Sequence, residues 1–217
     1  MKYDKKAYPL GMISAVIYYA HVFLGQALWK EYNPVTTDIS SLTAKGAPNA
    51  NLLQVFTLIY GICFTLFAIR MLVKAIREYH LITKIGYAVF LIMAIVSVIG
   101  YALFPLTGDK TEMSFQNMMR IVVTVIVVFT TLISLYLIAV RYLKKEKIIL
   151  LGRVVLLTAV LITVFGALNP IGMANNWNIL GLTERMVIFT LQAFVFYLSF
   201  MYTFKIKEIQ KSTRDKK

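Results

Sequence analysis

The chain has 217 residues, of which 59% are hydrophobic and only 15% are charged, and its formal net charge at pH 7 is +13. An ordinary soluble domain carries about 25% charged residues, so this composition excludes that class and indicates a membrane protein. The basic excess does not indicate nucleic-acid binding, because the Lys and Arg residues lie in short loops beside apolar segments, where membrane topology accounts for them.

Six apolar segments follow one another along the chain, and most have about the 20 residues that a helix needs to cross a ~30 Å hydrocarbon layer. They are Ala7–Leu28, Ala50–Ile69, Ile85–Phe104, Ile121–Val140, Ile148–Leu168 and Met186–Phe204. We therefore predict an all-α polytopic membrane protein whose six transmembrane helices form one domain over residues 1–204. A basic cytoplasmic tail is expected over residues 205–217.

The positive charges predict the orientation of these spans. Of the 23 Lys and Arg residues, 18 fall at the N-terminus, at the C-terminus, or near the second and fourth interhelical connections. The other five are Lys30, Lys45, Lys110, Arg120 and Arg185. Because short cytoplasmic loops are enriched in Lys and Arg, we expect both termini to be cytoplasmic, with contacts to anionic lipid headgroups on that face.

The spans are predicted to form three helical hairpins with similar outer turns. The outward spans are followed by Asn33-Pro34, Phe104-Pro105 and Asn169-Pro170, and proline is typical of a helix exit. Hydroxyl and carboxylate residues that can cap a return helix come next, namely Asp38, Ser40 and Ser41, then Thr111 and Glu112, then Thr183 and Glu184. Either internal duplication or convergence on common turn chemistry explains this likeness.

Polar residues recur at helical spacing inside several spans. In the first span they form a stripe of small and polar residues, Gly11, Ser14, Tyr18, His21 and Gly25, which permits close helix packing. His21 is a candidate ligand or proton carrier, or else a hydrogen-bonded core histidine. Arg120 and Arg185 stand at matching positions near the external starts of two return helices, where each is either a carboxylate or phosphate partner or an interfacial anchor.

These residues suggest an outward-facing cavity with a charged mouth and an apolar interior. Its candidate lining residues are Asp38, Ser40, Ser41, Asp109, Asn117, Arg120, Glu184, Arg185 and His21. Such a cavity suits a membrane lipid or small amphiphile with an anionic headgroup. The alternative is that the polar residues only hold the helices together.

Two other functions remain open from the sequence. In a membrane-embedded lipid hydrolase or transferase, Asp109, Glu184 or His21 would be the acid–base group and the two arginines would hold a phosphate. A non-catalytic partner subunit, or a homo-oligomer, is also compatible with the pattern. No cofactor or metal is expected, because the histidines, His21 and His80, lie on opposite predicted sides and Cys63 is the only cysteine.

Several short motifs resemble those of a bacterial six-span membrane family catalogued as domain of unknown function 998. They are Asn33-Pro34, Asp38-Ile39-Ser40-Ser41-Leu42, Gly46-Ala47-Pro48-Asn49-Ala50, Gly61, Phe104-Pro105, Asp109 and Gly181-Leu182-Thr183-Glu184-Arg185. The resemblance implies a six-helix fold in a bacterial plasma membrane and no settled activity. The family pattern has a histidine at the start of the fourth helix, where this chain has Gln116 or Asn117, and this weakens any inherited metal or acid–base role.

Overall fold

The computed structural model describes residues 7–108, 114–206 and 209, and its long elements are all helices. The six α-helices are α1 (Leu10–Leu28), α2 (Ala50–Glu78), α3 (Leu81–Leu103), α4 (Phe115–Lys144), α5 (Ile149–Ala174) and α6 (Leu180–Phe204). A short 3-10 helix, Ile39–Thr43, lies between α1 and α2. All six α-helices are long and apolar enough to cross a membrane, which confirms the predicted fold class.

Five of the six helices extend beyond the apolar segments that predict them, whereas α1 begins at Leu10, inside its segment. The largest extension at a single end is in α2, which continues to Glu78, nine residues past the predicted end of the second span. At 1.5 Å per residue, the 30 residues of α4 span about 45 Å, which exceeds the ~30 Å hydrocarbon layer. Hydropathy marks only the part of a helix that suits lipid, whereas backbone hydrogen bonding continues into the polar flanks.

Two predicted helix boundaries are wrong. Pro170 lies inside α5, which continues to Ala174, so the Asn169-Pro170 pair does not mark the helix exit. Thr183 and Glu184 are not the cap of α6, because that helix begins at Leu180 and they lie in its first turns. Thr111 and Glu112 are outside the described residues, and α4 is capped by Ser114, whose side chain accepts a hydrogen bond from the Asn117 backbone amide at 3.2 Å.

The helices form a ring in chain order. Each helix packs chiefly against the next one in the sequence, and α6 packs back against α1. The connections α1–α2 and α3–α4 meet through a backbone hydrogen bond from Lys45 to Leu106, and Leu182 at the start of α6 bonds to Val35. We call the end of the bundle that contains these connections the loop end. The opposite end, which carries the α2–α3 and α4–α5 connections, is called the terminal end.

Small residues set the spacing of neighbouring helices. A Cβ atom at Gly11 would lie 2.7 Å from the Cβ of Ser199, so α1 and α6 can approach this closely only with glycine at that position. Ser14, His21 and Gly25 are buried on the same face. This confirms that the predicted stripe of α1 faces the protein interior, whereas large apolar residues such as Phe23 and Phe129 remain exposed on the outer surface of the ring.

Tyrosine side chains fill the interior of the ring at the terminal end. The hydroxyl of Tyr202 on α6 lies 2.6 Å from that of Tyr142 on α4 and 2.7 Å from that of Tyr79, and the Tyr142 hydroxyl lies 2.6 Å from that of Tyr87 on α3. Buried aromatic residues such as Phe64 and Phe90 pack around this group. The interior at the terminal end is therefore closed by hydrogen-bonded rings.

Candidate functional site

Arg185 is the centre of a hydrogen-bond network at the loop end. Its Nη1 donates to the backbone carbonyls of Thr37 at 3.0 Å and Gly181 at 2.8 Å, and its Nη2 donates to the Tyr32 hydroxyl at 2.6 Å. With the side-chain oxygen of Gln26 turned toward the guanidinium, that oxygen accepts from Nη2 at 3.1 Å and from Nε at 3.3 Å. The guanidinium is thus largely occupied by protein groups and joins α6 to α1 and to the α1–α2 connection.

Tyr32 supports this network from the α1–α2 connection. Its hydroxyl donates to the backbone carbonyls of Asp38 at 2.8 Å and Thr37 at 3.1 Å while it accepts from Arg185. Burial raises the pKa of Tyr32 to about 12, and the neighbouring guanidinium opposes only part of this shift. The hydroxyl therefore stays protonated and able to donate throughout the physiological pH range.

Glu184 and Asp38 hold the short 3-10 helix. The Glu184 carboxylate accepts hydrogen bonds from the backbone amide of Ile39 at 3.0 Å and from the hydroxyl of Ser40 at 3.3 Å. Asp38 is 3% exposed and accepts a hydrogen bond from the hydroxyl of Ser41. An unpaired amide at the start of a helix favours a carboxylate, so Glu184 acts as a cap supplied from a distant helix.

Asn117 organises the α3–α4 connection. Its side-chain oxygen accepts from the backbone amide and the hydroxyl of Thr107 at 3.2 and 3.3 Å, and its side-chain nitrogen donates to the Thr107 carbonyl at 2.9 Å. Asn117 is 2% exposed. Asn117 therefore fixes the conformation of the chain around Thr107.

Arg120 has a different environment from Arg185. One guanidinium nitrogen donates to the carbonyl of Phe104 at 2.9 Å, and the guanidinium carbon lies 4.7 Å from the centre of the Tyr101 ring. This is its only hydrogen bond within the described residues. Arg120 is 8% exposed and lies within electrostatic reach of Glu184, Asp38 and Tyr18.

A side-chain hydrogen bond reaches across the interior of the ring. The Tyr60 hydroxyl on α2 accepts a hydrogen bond of 2.8 Å from the side chain of Gln192 on α6, past the intervening α1. Tyr18 on α1 packs edge-on against the same Tyr60 ring, with 4.9 Å between the ring centres. These side chains therefore project into the interior of the ring.

His21 lies apart from the charged network. Its ring packs edge-on against Tyr18, with 5.6 Å between the ring centres, and it is 2% exposed. Neither ring nitrogen has a hydrogen-bond partner among the described residues, and the same holds for the side-chain oxygen of Gln192. His21 is therefore buried, as expected of a core histidine, but its ring lacks the expected hydrogen bonds among the described residues.

The structure brings together most of the predicted site residues. Asp38, Ser40, Ser41, Glu184 and Arg185 share one network, and Arg120 is within electrostatic reach of its carboxylates. Asn117 lies in the first turn of α4 and bonds to Thr107 in the adjoining connection. Asp109 is outside the described residues. The sequence did not indicate Tyr32, Tyr60 and Tyr101 as site residues, because aromatic residues near the ends of spans usually lie at the membrane interface.

The sequence reasoning also missed two buried charged residues at the terminal end. Lys74 is 1% exposed, forms an ion pair with Glu78 and lies 5.5 Å from the centre of the Tyr202 ring. Glu146 is 7% exposed and accepts from the backbone amide of His80 at 2.8 Å and the hydroxyl of Thr83 at 2.7 Å. Both lie in segments that contain several other Lys and Arg residues, so the sequence did not indicate that these two side chains are buried.

The comparison with family models agrees with the resemblance seen in the motifs. The model described as "Protein of unknown function (DUF998)" matches residues 12–201, which include all or nearly all of each of the six helices. Neither the curated proteins nor the solved structures contain a match. The extent of the family match, together with six apolar helices that fit a six-span architecture, shows that this chain is a member of the DUF998 family of membrane proteins.

Proposed function

We propose that this protein binds or translocates a membrane lipid or small amphiphile through a cavity at the loop end of the helix ring. In this proposal the loop end faces outward from a bacterial plasma membrane, and both termini are cytoplasmic. The bound molecule would place its polar headgroup near Arg120 and its apolar part deeper among the helices. The proposal requires no cofactor, metal or chemical step.

The observation that carries the proposal is the burial of Arg120 with a single hydrogen bond among the described residues. A guanidinium that is 8% exposed inside a membrane domain is costly, and such residues commonly mark binding sites or transport paths. Arg120 keeps part of its guanidinium free of hydrogen bonds within the described residues, whereas Arg185 is committed to the loops. Arg120 is therefore the better placed of the two to hold a phosphate or carboxylate.

The tyrosine group at the terminal end supports a cavity that opens on one side only. Because Tyr79, Tyr87, Tyr142 and Tyr202 occupy the interior there, a molecule bound near Arg120 can enter from the loop end or laterally from the membrane. An amphiphile fits this arrangement better than a small ion, since an ion path needs polar groups along its whole length.

The test is native mass spectrometry after mild solubilisation, with analysis of the co-purified lipid. We expect lipid on the parent protein and an occupancy about tenfold or more lower in Arg120→Gln, the loss expected when a charge-assisted hydrogen bond is removed. Arg153→Gln is the matched control, because Arg153 is exposed on α5 at the other end of the bundle. Unfolding temperatures of all three proteins would show that the variants are folded.

Three outcomes would contradict the proposal. One is bare protein in the parent sample, and another is undiminished lipid in Arg120→Gln. The third is a stable complex with another membrane protein in place of lipid, which would favour the role of partner subunit. Conversion of an added lipid that is abolished by Glu184→Gln would instead favour an enzyme.

A further inference from the structure

A groove on the outer surface of the ring runs along α4 at the terminal end, where Ile82 at the start of α3 also lines it. It has a volume of about 470 Å³ and is lined by Ile82, Leu132, Ile133, Tyr136, Leu137, Val140 and Arg141. The lining is almost entirely apolar, and Arg141 is its only charged member. This groove is separate from the loop-end site and does not depend on the proposed function.

The length of the groove is close to the thickness of the hydrocarbon layer of one leaflet. Leu132 and Arg141 are nine residues apart on α4, which corresponds to about 13 Å along the helix axis. One leaflet contributes about half of a ~30 Å hydrocarbon layer. The apolar part of the groove therefore has the reach of an acyl chain, and Arg141 stands at the end where a headgroup would lie.

Arg141 is available for such a headgroup. Its side chain is half-buried, lies in the last turn of α4, and has no hydrogen bond or ion pair within the described residues. Basic residues are also abundant around it, since Lys84, Lys144 and Lys145 belong to the same end of the bundle. A bidentate guanidinium is well suited to a phosphate oxygen pair, and the surrounding charge favours an anionic lipid over a zwitterionic one.

We propose that this groove is a binding site for one anionic phospholipid, with an acyl chain along α4 beside the start of α3 and the phosphate on Arg141. The site would hold its lipid in the leaflet that contacts the terminal end. The bound lipid would contact α4 along the groove and α3 only at Ile82.

Quenching of a tryptophan in the groove by brominated lipids tests this proposal. The reporter is Tyr136→Trp, which replaces one aromatic groove residue by another, in a protein whose two native tryptophans, Trp29 and Trp177, are changed to phenylalanine. The full chain is reconstituted in vesicles in which brominated phosphatidylglycerol or brominated phosphatidylcholine replaces the matching unbrominated lipid. We expect phosphatidylglycerol to reach half-maximal quenching at a lower mole fraction than phosphatidylcholine.

Variants at Arg141 then test whether this residue causes the preference for the anionic lipid. In Arg141→Gln we expect the preference for the anionic lipid to fall about fivefold, since one basic residue near an anionic surface contributes about that factor. Arg141→Lys should retain most of it. Arg77→Gln is the matched control, because Arg77 is an exposed arginine in the last turn of α2 at the same end and does not line the groove. Equal quenching by both lipids in the parent, or an unchanged preference in Arg141→Gln, would overturn the proposal.

Discussion

At the scale of single residues, two arginines that are buried to nearly the same degree have different roles. Arg185 donates hydrogen bonds to a backbone carbonyl of the α1–α2 connection and to one of its own helix, so its guanidinium stabilises the fold. Arg120 has one such bond and otherwise faces Tyr101 and the interior. A buried charge whose hydrogen bonds are completed by protein is structural, whereas one with remaining capacity is a candidate for binding.

The carboxylate of Glu184 provides a first prediction. Glu184→Ala removes the acceptor for the Ile39 amide and the Ser40 hydroxyl, and hydrogen bonds to charged groups contribute about 1.5–3 kcal/mol. We therefore expect the free energy of unfolding of Glu184→Ala to be lower than that of the parent by about this amount. The loss should be smaller in Glu184→Gln, which keeps an oxygen at the same place. Thermal unfolding in detergent measures both. A Glu184→Ala protein as stable as the parent would show that the cap is dispensable.

At the scale of elements, contacts between helix ends and connections determine where helices start and how they approach. The first turn of α6 lies directly on the backbone of the α1–α2 connection. His80, the residue that precedes α3, and Thr83 in the first turn of α3 are held by the Glu146 carboxylate of the α4–α5 connection. These contacts join segments far apart in the chain, so they can form only after the helices have assembled.

Gly181 tests the first of these contacts. A Cβ atom there would lie 2.2 Å from the backbone oxygen of Thr37 and 2.7 Å from that of Pro34, so Gly181→Ala must displace the connection. We expect a destabilisation of about 1–3 kcal/mol, as for other overpacked sites. Gly166→Ala is the control, because a Cβ at Gly166 has no other atom within 4 Å and alanine favours the helix. Equal unfolding temperatures for the two variants would contradict this account.

Glu146 tests the second contact. Glu146→Ala leaves the His80 amide and the Thr83 hydroxyl without their acceptor near the start of α3, and an unsatisfied buried donor costs about 1–3 kcal/mol. We expect lower stability and faster hydrogen exchange of the first amides of α3. The neighbouring Lys145→Ala, which removes an exposed side chain, should change neither quantity. Unchanged exchange in Glu146→Ala would exclude the proposed cap.

At the scale of the whole molecule, the ring separates two kinds of interior. The terminal end is filled by tyrosines and phenylalanines, and its buried charged residues, Lys74 and Glu146, have an ion pair or hydrogen bonds. At the loop end, Arg120 is buried with a single hydrogen bond among the described residues. The proposed function rests on this difference, since one end is closed by packing and the other would offer a charged group to a ligand. The functional meaning of this difference depends on which end faces the cytosol.

Cysteine labelling tests the orientation. The background is Cys63→Ala, and single cysteines are placed by Asn175→Cys in the α5–α6 connection and Lys144→Cys at the end of α4. With a membrane-impermeant maleimide and intact cells, we expect labelling at position 175 and none at position 144 until the cells are permeabilised, because short basic loops stay in the cytosol. Labelling of Lys144→Cys in intact cells would place the loop-end site on the cytoplasmic side.

The apolar segments alone specify the class of the fold, because each span needs about 20 apolar residues. The stripe of α1 follows in the same way from the helical period of 3.6 residues. The sequence also indicated the cluster of Asp38, Glu184 and Arg185, since charged residues at the ends of consecutive spans meet when the helices pack side by side. It could not separate Arg120 from Arg185, because both stand at matching positions near the start of a return helix.

Contacts between distant parts of the chain determine which charged side chains form hydrogen bonds within the protein. Whether Glu184 caps α6 or a distant 3-10 helix, whether Glu146 is exposed or buried, and whether Tyr32 faces lipid or Arg185 depend on contacts between residues up to about 150 positions apart. Pro170 shows the same limit, since α5 continues past it despite the lost backbone donor. Local patterns specify which backbone and side-chain groups need partners, and the packing of the six helices determines which partners they find.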